Sequence, residues 1–397
     1  MKDDRPAKGQ NAEKEHDMRM TGSWTRKARL IAALGSAAMA AVATCSGVNA
    51  QSVAFIEQVG DYNQTSIDQS GATGSTALAQ TKGSENLLDL TQSGRDNRAV
   101  VSVTGNRSGR GDAPGGTGRT MAFAPKTLSP YVIGSENKQN KSNNGQGDPC
   151  GEGKGQGTGN PCNGNNGNDG ANGNAGHKDA ALTTSTLTPI ANLESGVIRQ
   201  SGERNLAGVL IKGDSNDFHV SQLGNDNKAA QAISGSSNQA AIVQGTPDGA
   251  LGSDNRAVQV QRGSSNSAYA HQAGSNNVAA LVQAGGLGAS PTTAEAALAG
   301  AGGLVGVAGS ANYTQSAEAV LASYSARGEG TGNSITLQQN GDNNIALLGQ
   351  FGNDNSIALR QPGDAYASIT QFGNGRSIGI EQQAGTNGVS PITVTQY

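Results

Sequence analysis

Few side chains in this chain could do acid–base or metal chemistry. The four histidines are His16, His177, His219 and His271. None stands with a Ser and a carboxylate in an arrangement that repeats or stands apart. His219 and His271 fall at outward positions of alternating stretches and read as surface residues. The Gly-rich stretches lack the Lys-Ser/Thr context of a phosphate loop. They also lack the G-G-x-G-x-D nonapeptide of calcium β-rolls. Cys150 and Cys162 lie in a Gly/Asn-rich segment and could close a local disulfide loop in a secreted chain. A zinc site would need four ligands, and only His177 is near. The chain therefore does not read as an enzyme, and no cofactor or metal is expected.

The chemistry that does recur is that of carboxamides. Asn and Gln each carry two donors and an acceptor oxygen. Around a Gly that returns every 11 residues the text reads Q-x-G-x-x-N. Gln222-Leu-Gly224-Asn-Asp-Asn227 and Gln350-Phe-Gly352-Asn-Asp-Asn355 are examples. The turn glycines are Gly60, Gly94, Gly202, Gly213, Gly224, Gly235, Gly263, Gly274, Gly341 and Gly352. Both Gly and Asn tolerate left-handed backbone angles, so the element between strands reads as a tight turn. An earlier run (Gly60, Gly71, Gly83, Gly94, Gly105) carries one slip.

Between each Asn and the next Gln the residues alternate small or apolar with polar. That alternation is the signature of a strand with one buried face. Nineteen such units end at residues 58, 69, 80, 92, 103, 200, 211, 222, 233, 244, 261, 272, 283, 339, 350, 361, 371, 382 and 396; Gln closes 16 of them and Asn opens 13. Two units make a rung of about 22 residues, and rungs stack in parallel roughly 4.8 Å apart. Stacking sets like residues above one another. Asn63, Asn97, Asn205, Asn216, Asn227, Asn238, Asn255, Asn266, Asn277, Asn333, Asn344 and Asn355 are then candidates for amide ladders, with Gln69, Gln222, Gln244, Gln261, Gln272, Gln283, Gln339, Gln350 and Gln361. The expected fold is all-β: an amyloid-like parallel β-solenoid with two short strands per rung.

Composition agrees. Of 397 residues 59 are Gly and only 3% are aromatic, with 34% hydrophobic, too little large apolar surface for conventional cores. Residues 1–50 read as an N-terminal extension and signal peptide: Arg26, Lys27 and Arg29, an apolar run from Leu30 to Ala43, and Val48-Asn49-Ala50 before the cut. They hold eight Lys/Arg and five Asp/Glu, so the remainder has a net charge of −6 in place of −3. Scattered, mildly acidic charge offers no footprint for nucleic acid.

Repeats are expected in three blocks, 51–108, 194–283 and 333–397. A Gly/Asn/Pro-rich insertion at 109–193 reads as disordered; within it, Tyr131 to Asn137 could be a decayed unit. The stretch 284–332 reads as an Ala/Gly-rich insertion, forming a short helix or a loop, followed by a degenerate repeat with Glu318 in the Gln slot. No capping element is evident at either end.

The repeat resembles the curlin repeat, S-x5-Q-x-G-x2-N-x-A-x3-Q. Ser52, Gln58, Gly60, Asn63, Thr65 and Gln69 follow it with Thr for Ala, while Gln272, Gly274, Asn277, Ala279 and Gln283 match its second part, as do Gln339, Gly341, Asn344, Ala346 and Gln350. The resemblance implies a secreted subunit that polymerises with itself into an extracellular amyloid fibre, a curli-type fimbrium for adhesion and biofilm matrix. It also implies a nucleator, an outer-membrane export pore and chaperones as partners. The alternative is a monomeric secreted solenoid adhesin or binding surface.

Overall fold

The computed structural model describes residues 29–34, 39–45, 52–110, 120–131, 184–191, 193–246, 251–286, 290–325, 328–383 and 391–397. Strands are numbered along the chain. The first sheet, A, contains nine repeat strands: β4 (Asn63–Thr73), β6 (Leu87–Arg95), β12 (Val197–Glu203), β14 (Asp217–Leu223), β16 (Gln239–Gln244), β18 (Ser267–Ala273), β21 (Ser334–Asn340), β23 (Ser356–Gln361) and β25 (Ser377–Gln382). The second, B, contains ten: β3 (Ser52–Val59), β5 (Thr76–Lys82), β7 (Arg98–Thr104), β13 (Leu206–Lys212), β15 (Lys228–Ser234), β17 (Arg256–Ser264), β19 (Val278–Ala284), β22 (Ile345–Phe351), β24 (Tyr366–Phe372) and β26 (Ile392–Gln396). Neighbouring repeat strands are parallel, and the chain alternates between sheets at every turn. This is the expected parallel β-solenoid, with one strand for each unit read from the sequence.

Alternation decides the core. In β3 and β5 every second residue is buried. The inward residues of both sheets form one thin layer of Ala, Val, Ile and Leu, in which Phe218 is the single aromatic. A layer so thin excludes larger side chains, hence the low aromatic content. Two slots differ from the reading. Thr81, not Gln80, stacks on Gln58, and Gln80 turns outward to donate to Glu57 Oε2 at 2.7 Å. A register shift between Asp68 and Gly71 sets Gly71 beside Ser93 rather than Gly94, which accounts for the slip.

The stretch holding the expected degenerate repeat is helical instead: α1 (Pro291–Val307) and α2 (Tyr313–Ser323). Ser290 caps α1, accepting from Thr293 N, with Pro291 at the first turn, a strong start signal. Alanine-rich sequence then favours helix over strand. Glu318 occupies no ladder slot; it pairs with Lys212 Nζ at 2.7 Å. Both helices lie on the outer face of sheet B, where Leu210, Ala230, Ala232, Val258, Val260, Ala280 and Val282 meet Leu298, Ala301, Leu304, Tyr313 and Leu321. Gly208 leaves the space that the Tyr313 ring fills, since a Cβ there would lie 2.5 Å from the ring.

Part of the 109–193 segment, read from the sequence as a disordered or loosely held insertion, packs against the solenoid. It contributes β8 (Thr120–Met121), β9 (Lys126–Tyr131), β10 (Ser185–Leu187) and β11 (Leu193–Glu194), with β8 antiparallel to β11 and β9 antiparallel to β10. Together they form an arm along the outer face of sheet A. Met121, Phe123, Ile190 and Leu193 pack on Ala241, Val243 and Tyr269, and farther along Leu128 and Leu187 pack on Ala358. The arm leaves and rejoins the solenoid at one point. A Cβ on Gly109 would lie 2.9 Å from Gly196 Cα, and the backbone ladder runs on through Gly109 N to Asn216 O (2.8 Å) and Gly196 N to Phe218 O (2.7 Å). Cys150, Cys162 and His177 lie outside the described residues, as do residues 132–137 of the decayed unit.

Two elements remain. β20 (Gly330–Thr331) pairs with β17. In the stretch read as leader, β1 (Arg29–Leu34) and β2 (Met39–Cys45) pair antiparallel with β4 and β3.

Candidate functional site

The candidate site is the pair of side-chain columns inside the solenoid and the end faces where they stop. In sheet A the Gln column is continuous over nine strands: Gln69, Gln92, Gln200, Gln222, Gln244, Gln272, Gln339, Gln361 and Gln382. Each Nε2 donates to the Oε1 of the next at 2.7–2.9 Å. The other Nε2 hydrogen crosses the core to a backbone carbonyl of sheet B, as from Gln222 to Leu206 O (3.1 Å) and Gln361 to Ile345 O (3.1 Å). Every amide therefore ties its neighbour along the axis and the opposite wall.

In sheet B the column reads Gln58, Thr81, Val103, Ile211, Ile233 and then Gln261, Gln283, Gln350, Gln371 and Gln396. The last five link Nε2 to Oε1 at 2.8–2.9 Å. Where Ile233 precedes Gln261 no donor is available, and Gln261 Oε1 is buried without a partner. Gln58 Oε1, on the first repeat strand, is likewise buried without a partner.

The Asn column works differently from the Gln column. Its oxygen accepts the backbone N–H of the next Asn, and its Nδ2 donates to the next turn's glycine carbonyl. Asn205 Oδ1 accepts from Asn227 N (3.1 Å), and Asn205 Nδ2 reaches Gly224 O (2.8 Å). Asn63, Asn97, Asn216, Asn227, Asn238, Asn255, Asn266, Asn277, Asn333 and Asn355 each reach a glycine carbonyl in the same way. Asn344 Nδ2 instead donates back to Asn277 Oδ1 at 2.9 Å. The column is thus chiefly a backbone clamp, with direct amide-to-amide bonds at some rungs only. Nor do the slot asparagines take left-handed angles; the residue before each does, such as Arg204 (φ 55), Asp226 (φ 58) and Asp354 (φ 55). The glycines of the turns carry positive φ as read, Gly224 at 117°.

The two strand histidines are outward but not exposed, and over His219 it is the arm that lies. His219 is 3% exposed, and its Nδ1 lies 2.8 Å from Glu194 O on β11. His271 is buried beside Gly245 O. Burial pushes the His219 imidazole down to about 4; the Glu194 carbonyl opposes the shift, and the Arg199 charge adds to it. The folded value lies below the unfolded one, so His219 contributes full stability above pH 6.5 and loses it as pH falls toward 4. A fall of that size corresponds to about 3 kcal/mol. Amide-exchange protection over 193–199 is expected to drop across that window in the wild-type chain and to stay level in His219→Gln. Equal profiles for the two chains would rule this out.

No helix is long and apolar enough to cross a membrane among the described residues. Among those residues no cluster of three or more His, Cys, Asp or Glu could hold a metal ion. A cleft of about 310 Å³ opens between α1 and sheet B, walled by Val258, Leu298, Val305 and Leu347, with Arg256 and Glu295 as its charged groups.

At the end of sheet B, Phe351, Phe372 and Tyr397 stack outside the wall with centroids 5.6 and 5.5 Å apart. Tyr397 is 67% exposed. β26 is the terminal strand of sheet B, whereas in sheet A β9 pairs with β25.

Comparison with known protein families gives a match. Residues 83–108, 195–224, 252–285 and 330–363 match the curlin associated repeat. No curated protein and no solved structure matches the chain. The first two matched segments are consecutive in space, since β12 stacks directly on β6, and they stand apart in the sequence because the arm is spliced between them. These four segments, each carrying the Gln, Gly and Asn columns just described, are curlin associated repeats.

Proposed function

We propose that this chain is a secreted structural subunit that stacks on copies of itself into extracellular curli-type fibres serving adhesion and biofilm matrix. The observation that carries this is the buried, unpartnered Oε1 of Gln58 at one end of sheet B. The ladder runs from Nε2 to Oε1 toward the C-terminal end, where it stops at Gln396. Cleavage of the leader would take β1 and β2 away and bare β3. A second copy's β3 then fits on β26 in the repeat register, with Ala54 on Ile392, Ile56 on Val394 and Gln58 on Gln396. The Gln396 amide would supply the donor that Gln58 lacks, and an open strand edge of this kind is a template for pairing. Export pore, chaperones and nucleator belong to the same proposal.

The expected result is that purified chain from residue 51 onward turns from soluble to thioflavin-positive fibres, with a cross-β spacing near 4.8 Å. A chain that stays monomeric for days at micromolar concentration would sink the fibre reading. The second reading, a monomeric adhesin, draws support from β9, which covers β25, the last repeat strand of sheet A.

A further inference from the structure

The array starts and ends in sheet B, so sheet A has nine repeat strands against ten. A second copy seated with its β3 on β26 would leave one vacant seat in sheet A, between β25 and the incoming β4. β9 sits in that seat. It runs parallel to β25 like a repeat strand, with Ser129 beside Ile380, Pro130 beside Glu381 and Tyr131 beside Gln382. β10 follows β9 in the strand order, but it pairs antiparallel only with residues 126–128 and leaves 129–131 unpaired on that side. Arg360 Nη2 holds it by donating to Thr186 O at 2.8 Å, and Ser185 bonds Glu381.

Backbone polarity along the solenoid is regular. Residues with outward side chains send their N–H toward the next rung, as Leu87 N does to Ser108 O (2.9 Å) and Asp89 N to Gly196 O (2.7 Å). Pro130 takes the outward register of Glu381. Its nitrogen therefore faces the side on which the next strand would land, and proline has no hydrogen to offer there. Proline survives in sheets at such free edges and blunts them.

We propose that β9 is a built-in brake on fibre growth: it completes the tenth rung and presents Pro130 to the next copy where the repeats present an N–H. This rests on the fibre reading. Joining in sheet B is unhindered, while joining in sheet A lacks one of its donors at every junction between copies. Growth is slowed without being forbidden.

The test is seeded elongation of the chain from residue 51 onward as wild type, Pro130→Thr and Pro125→Thr. Pro125 precedes the seat and serves as control. Pro130→Thr is expected to elongate about fivefold faster than the other two, the factor that one net hydrogen bond carries. Fibres from Pro130→Thr alone would support the brake as well. Equal rates, or a slower Pro130→Thr whose exchange protection over 126–131 matches wild type, would overturn the brake and leave the fibre reading standing. Absence of fibres in all three chains would overturn the fibre reading and the brake with it.

Discussion

Gln222→Leu is expected to destabilise the solenoid by about 3–5 kcal/mol, a large effect for one side chain of nearly unchanged volume. Three bonds meet at this amide. Gln200 Nε2 donates to its oxygen at 2.8 Å, and its own nitrogen donates to Gln244 Oε1 at 2.9 Å and Leu206 O at 3.1 Å. Leucine would fill the space and leave one donor and two acceptors stranded in a layer that water does not reach. Each stranded buried group costs about 1–3 kcal/mol, and the carbonyl, which keeps a second lone pair, loses least.

Sheet B shows why the cost belongs to the ends of an interruption. There the column runs Thr81, Val103, Ile211, Ile233 without amides, and orphaned oxygens stand at its two ends, Thr81 Oγ1 and, where the amides resume, Gln261 Oε1. The double variant Gln200→Leu/Gln222→Leu is therefore expected to cost clearly less than twice the single, because the bond between the two sites leaves no orphan. Urea denaturation of the monomer measures both. A single-variant effect below about 1 kcal/mol would demote the column from structural tie to space filler. Gln350→Leu combined with Gln361→Leu, one site in each sheet, should carry the same loss into assembly kinetics.

Gly224→Ala is expected to be worse tolerated than its single methyl suggests, costing about 3 kcal/mol or more. Gly224 has φ 117°, and a Cβ there would lie 2.0 Å from Gly252 O. That carbonyl accepts from Asn227 Nδ2 at 2.7 Å. Relieving the clash means moving the carbonyl, and so opening the Asn clamp between two rungs. Gly300 in α1 makes the matched control, since a Cβ there meets nothing within 4 Å; Gly300→Ala should stabilise by up to about 1 kcal/mol. Thermal unfolding separates them: a drop for Gly224→Ala no larger than for an exposed loop substitution would contradict the close approach.

The repeat itself was legible from residue types and spacing. Alternation between Asn and Gln located the strands, because in a strand the side-chain period is two and one face is buried. The 11-residue return of glycine located the turns, because stacked turns leave no room for a Cβ. Where the reading slipped, another constraint prevailed. Gln80 looks like a ladder residue by type, yet pairing with β3 sets Thr81 inward instead. Residues 313–323 keep a unit-like spacing, yet their apolar side fits the outer face of sheet B as a helix. His219 and His271 sit outward by parity, and parity says nothing of what lies over an outer face.

Residue types and their spacing specify the rung: two strands, two turns, a thin aliphatic layer and amide columns. All of these follow from local period and from stacking like on like. What covers the rungs and what closes their ends is set by packing in three dimensions. The arm's course over Ala241, Val243 and Tyr269, the burial of His219, and the seat of Ser129, Pro130 and Tyr131 beside β25 all join residues far apart in the chain. Such contacts have no period. They depend on which non-repeating side chains find an apolar patch or a vacant edge once the solenoid exists, and no spacing within the sequence encodes that choice.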